Sequence, residues 1–200
     1  ADAGQPAADT ADAWMQQLGQ RQQQLQSDTE RTPESKEQLN KTYEQLRLDF
    51  EAANKARSRR HEYSDAAAAA PSVLEATKAR KADLDANKTP PSAQELAGLS
   101  YEELDQRRMA LEAELATLGT ERTTLTEAIS KRDKRRKELP QLISDAKSKL
   151  EQMGQQAPAA ASEDPLLKEA GAWSFDVSRK LLSEQQQSYE AEQRLYEAEA

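Results

Sequence analysis

From a start at Ser100, apolar side chains return at every seventh position, at Leu104, Leu111, Leu118, Leu125, Leu139, Ala146 and Met153. Positions four residues on carry Leu115, Ile129, Ile143 and Leu150. Arginine takes the remaining places of this seam, as Arg108, Arg122, Arg132 and Arg136. Eleven apolar residues in fifteen seam positions form a heptad repeat, the spacing that keeps one stripe of an α-helix facing a partner helix. Ser100 and Glu103 supply a capping box at its start, each side chain satisfying a backbone N–H that the first helical turn leaves without a partner. A helix from Tyr101 to Leu139 alone would be about 58 Å long at about 1.5 Å per residue. A rod of that length has to pack along another helix rather than wrap a globular core.

Composition excludes the main alternatives to this fold. Leu, Ile, Val and Phe make up only 14% of the 200 residues, below the roughly 20% under which chains are commonly disordered. Yet Ala, Glu, Lys, Arg and Leu together make up 54%, and that excess combined with periodicity marks long helices. Two Val and two Ile in the whole chain are too few for a β-rich domain. The expected fold is all-α, with long antiparallel helices in a coiled-coil-like elongated bundle.

The same logic divides the chain. Residues 1–10 read as a flexible leader and 11–89 as the N-terminal helices. Thr32 followed by Pro33 is a helix start, because proline in the first turn loses no needed N–H. Leu39, Tyr43, Leu46 and Phe50 then recur at helical spacing. Pro71 is expected to break or kink this helix, with a shorter one following it. Pro90, Pro91 and Gly98 place a linker at 90–99, the heptad helix occupies 100–153, and 154–164 form a second linker. Asp164 and Pro165 restart a helix over 165–200 as cap and first residue. The end, AEQRLYEAEA, carries no helix-stop residue, which predicts truncation from a larger protein.

A search for chemistry returns little. The only histidine, His61, lies in the polar stretch RSRRHEYS, so no pair of histidines can hold a metal, and a serine–histidine–acid set has no GxSxG elbow to accompany it. Six scattered glycines cannot form a phosphate-binding loop. No enzyme activity and no cofactor are expected. A net charge of −8 weighs against nucleic-acid binding, because an anionic chain gains nothing from counterion release. No run approaches the roughly 18 apolar residues of a membrane span.

One cluster departs from the acidic background. Lys131, Arg132, Lys134, Arg135, Arg136 and Lys137 gather six positive charges around Asp133. They are either a solvated stretch paired with acidic neighbouring helices or a contact for an anionic surface such as lipid headgroups. The seam of Leu104, Leu111, Leu115, Leu118, Leu125, Ile129, Leu139, Ile143 and Leu150 is likewise either intrachain packing or a subunit interface, since both use the same heptads. Pro140 lies in phase with that seam and is read as a kink rather than a full loop.

Over residues 96–153, with Leu99 and Ser100 opening a long helix, Leu heptads, and a Leu139–Pro140 step followed by Ala146 and Leu150, the chain resembles the extracytoplasmic N-terminal helical region of the large MscS-type mechanosensitive channels of Gram-negative bacteria. The resemblance implies a periplasmic region of an inner-membrane protein, with membrane helices and a pore domain beyond residue 200 as its partners. It also implies a homo-oligomer, heptameric in that family, whose channel opens under membrane tension during osmotic downshock. The fragment would serve assembly or gating and would not be the pore, with Pro140 and the two linkers as candidate hinges. The alternative is a free-standing coiled-coil adaptor or scaffold of the envelope or cytoplasm.

Overall fold

A computed structural model describes residues 11–86, 92–155 and 164–199, with the side chains of 11–13 and 93 outside the description. The expected leader, residues 90 and 91 of the first expected linker and residues 156–163 of the second lie outside the described residues. The chain is all-α, with helices α1 (Ala11–Ser27), α2 (Pro33–Ala86), α3 (Ala93–Ala97), α4 (Tyr101–Gln155) and α5 (Pro165–Ala198). It divides into two compact units. One runs to Ala68 and resumes over Leu139–Ala198; the other spans Ala69–Glu138 and takes in Glu199.

Local chemistry sets the helix ends. Thr32 caps α2, its Oγ1 accepting from the Ser35 N–H at 3.3 Å, and Pro33 follows as the first helical residue. Ser100 accepts from the Glu103 N–H at 3.3 Å while Glu103 accepts from the Ser100 N–H at 2.8 Å, closing the reciprocal box that opens α4. A second box, Ser92 with Glu95, starts the short α3. Asp164 opens α5 by accepting from the Leu166 N–H at 2.9 Å.

Both internal prolines sit inside unbroken helices. α2 runs through Pro71 for 54 residues and α4 through Pro140 for 55. The break expected at Pro71 is absent for a local reason. The ring follows five alanines, the strongest helix formers, and Pro71 and every residue after it to Ala86 are exposed. In the next turn the Ser72 hydroxyl donates back to the Ala69 carbonyl at 2.8 Å, the kind of local bond that accompanies a disturbed helical ladder.

In the first unit α1, the N-terminal part of α2, and α5 enclose one core. Leu18 and Leu25 of α1, Leu39, Tyr43, Leu46 and Phe50 of α2, and Ala170 and Val177 of α5 are buried together. Trp14 stacks on Phe50 at 6.3 Å between ring centroids and meets Trp173 edge-on at 5.5 Å. Contacts along the helices fix their directions. α1 runs antiparallel to α5, because Trp14 meets Trp173 while Arg21 pairs with Glu169 at 2.7 Å. α2 runs parallel to α5, with Asp49 accepting from Ser178 at 3.3 Å and Arg60 lying 3.1 Å from Glu184. α4 meets α5 in this unit, with Lys147 3.5 Å from Glu190. Further along this unit small residues replace the aromatic layer: Ala53, Ala56, Ala146, Ser188 and Ala191 are all buried, and short side chains let helix backbones approach closely.

In the second unit most of the helical surface is exposed. Between Tyr101 and Lys131 of α4 only Asp105 is less than exposed, and residues 71–86 of α2 are exposed throughout.

Candidate interaction surface

The seam of α4 divides sharply near residue 132. On its C-terminal side Leu139 is 0% exposed, Ala146 is buried, and Ile143 and Leu150 are half-buried. This segment belongs to the unit that contains α5, where Lys147 lies 3.5 Å from Glu190. On the N-terminal side Leu104, Leu111, Leu115, Leu118, Leu125 and Ile129 remain between 37% and 75% exposed. Met109 and Tyr101 add to the same uncovered helix. Contiguous exposed apolar surface of this kind marks an interaction site more often than a resting surface.

The upper part of this stripe forms an open groove of about 370 Å³ lined by Leu96, Leu104, Arg107, Arg108, Leu111, Glu112 and Leu115. The charges at its edge pair within the helix: Arg108 donates to Asp105 at 2.9 Å and to Glu112 at 2.9 Å. The hydrogen bond to Asp105, followed by the charge of Glu112, raises the Arg108 pKa above its ordinary value. Below the groove, Thr117, Thr120, Thr123, Thr124 and Thr126 each turn the hydroxyl back to the carbonyl four residues earlier, at 2.8–3.1 Å. Exposed threonines bonded in this way favour the helix weakly, so this segment is a less stable helix than its length suggests.

The basic cluster is placed in two ways. Arg132 pairs with Glu199, and Arg135 lies 3.8 Å from Glu138. Lys131, Lys134, Arg136 and Lys137 point to solvent. Pro140 is exposed between Leu139 and the remainder of α4; the carbonyl it leaves without an N–H is that of Arg136, also an exposed residue, where water can reach it. His61 is exposed on α2.

Two features had no signal in the sequence. Arg31 holds Asp28 at 2.9 Å and also pairs with Asp164, 133 residues away, so one guanidinium joins the α1–α2 turn to the cap of α5. The hydrogen bond from Arg31 holds the Asp164 carboxyl below its ordinary pKa, with further help from the Leu166 N–H and against partial burial. The second feature is a buried carboxylate, Glu192, only 3% exposed, which accepts from the Tyr196 hydroxyl at 2.9 Å. Asp164 could be read as a helix cap, but no local pattern names a partner so distant in the chain.

Among the described residues no helix is long and apolar enough to cross a membrane. No curated protein and no solved structure matches the chain. A family model does, that of the mechanosensitive ion channel porin domain, over residues 23–195. The matched region holds the last turn of α1, all of α2 to α4 and nearly all of α5. The word porin in that description carries no barrel here, because the described residues form helices without a strand. With more than four-fifths of its length matched, the chain belongs to the mechanosensitive ion channel porin domain family.

Proposed function

We propose that this chain is the extracytoplasmic helical module of a mechanosensitive channel, lying in the periplasm and acting on assembly or gating during osmotic downshock rather than conducting ions. The family match over residues 23–195 carries this reading. Its partners are the membrane and pore segments of the same protein, assembled as a homo-oligomer, heptameric if the channel follows the large MscS type. Long uninterrupted helices suit such a role, since a displacement at one end of a packed helix reaches the other. A module that contacts closed and open states differently biases gating by the difference in contact free energy.

Pro140 is the hinge in this reading, placed where α4 passes from its bare to its packed segment. Lys131, Lys134, Arg136 and Lys137, with their charges toward solvent, are the contact for lipid headgroups, each adding about 1 kcal/mol near an anionic surface. The test is patch-clamp recording of the channel that carries this region, intact and with residues 11–198 deleted, at matched expression. A shifted tension threshold or a loss of assembled channel supports the reading. An unchanged threshold with unchanged assembly overturns it.

A further inference from the structure

The bare segment of α4 orders its arginines and leucines in a way that selects one partner and one orientation. Among the described residues its own unit offers no apolar stretch long enough to cover it. The exposed apolar side chains of α2 there, Val73, Leu74 and Leu84, span about 16 Å of helix, against about 37 Å from Leu104 to Ile129 at about 1.5 Å per residue. A single helix with its seam in water is marginal, and a partner with the same spacing satisfies it.

A second copy of the chain presents that spacing, and the two arginines of the segment decide how it lies. In a parallel pair Arg108 faces Arg108 and Arg122 faces Arg122, which puts like charges together in two core layers. Polar residues at such positions set orientation and register. With one copy turned end for end about an axis between Leu115 and Leu118, both conflicts vanish. Arg108 then faces Leu125 of the second copy, Arg122 faces Leu111, and Leu104 faces Ile129. Each guanidinium also comes level with acid from the other chain, Arg122 near Glu112 and Glu114, and Arg108 near Glu121. The groove lined by Leu96, Leu104, Leu111 and Leu115 receives Leu118, Leu125 and Ile129 of the other copy, and the twofold creates that groove twice.

We propose that α4 pairs antiparallel with α4 of a second copy of this chain through the Leu104–Ile129 seam. A twofold contact closes on two copies, so it is separate from any cyclic interface of a channel ring. It rests on the packing of α4 and stands or falls independently of the channel reading.

The test uses the full 200-residue chain, which has no native cysteine. Sedimentation equilibrium should show a monomer–dimer equilibrium, and Leu118→Arg, at an exposed position, should weaken it at least tenfold with unchanged helical circular dichroism. Copies carrying Leu104→Cys mixed with copies carrying Ile129→Cys should form a disulfide under mild oxidation. Neither should cross-link with itself, because its mate lies about 37 Å away along the axis. A chain that stays monomeric at millimolar concentration overturns the proposal, and so does a Leu104→Cys chain that cross-links to itself, which would mean a parallel pair.

Discussion

Arg31 is the residue on which two distant parts of the packed unit meet. Its guanidinium is mostly covered and bonds both Asp28 and Asp164. Asp164→Ala removes a helix cap, at about 1 kcal/mol, together with its ion pair, at about 0.2–1 kcal/mol. A loss of about 1–2 kcal/mol in urea denaturation is expected, and a double-mutant cycle with Arg31→Ala should return a coupling of about 0.5–1 kcal/mol. The pH dependence has a definite sign. Because the folded carboxyl titrates below its ordinary 3.8, the unfolded state takes up the proton first as pH falls. The stabilisation is therefore whole at neutral pH and is lost as pH drops through the folded pKa. Asp164→Asn keeps the cap but not the charge, so its stability deficit at pH 7 should narrow as pH falls below about 4 and close once pH is under the folded pKa. Gly171 offers the opposite case. It lies inside α5 without a left-handed backbone angle, and a Cβ added there meets nothing within 4 Å. Gly171→Ala should stabilise the fold by roughly 0.5–1 kcal/mol, read as a higher thermal midpoint.

At the scale of an element, α4 is one helix with two environments. Leu139 and Leu118 occupy equivalent positions of one heptad register, yet one is fully buried and the other 56% exposed. Leu139→Ala should cost about 2–5 kcal/mol, the range for a buried leucine that leaves a cavity. Leu118→Ala, measured at concentrations where the chain is monomeric, should stay within about 0.5 kcal/mol of the parent. Hydrogen exchange should separate the same two segments. Amides over 104–129 open locally with few tertiary contacts to break, whereas those over 139–150 exchange with the packed unit. Equal protection along the whole of α4 in the monomer would contradict this division.

For the whole molecule, what bears on function is that α4 belongs to both units and carries Pro140 beside the boundary between them. Proline removes one rung of the helical ladder and leaves the helix softer there than on either side. In the channel reading, Pro140→Ala stiffens that point and should shift the tension threshold measured in membrane patches at matched expression. An unchanged threshold would remove Pro140 from the gating machinery while leaving the family membership untouched.

The helical class, the heptad face and the starts of α2, α4 and α5 were legible in the sequence because each depends on interactions within a few residues. Periodicity decides which face of a helix is apolar, and Thr32, Ser100 and Asp164 close their caps locally. Pro71 shows where local reasoning falls short. Its ring disfavours a helix interior, but a run of five strong helix formers before it and an exposed course after it let α2 continue. The Arg31–Asp164 pair, the parallel course of α2 and α5, and the division of the seam between Ile129 and Leu139 were decided only by tertiary structure. A heptad specifies an apolar stripe and not its partner, so leucines at equivalent positions are core in one unit and surface in the other.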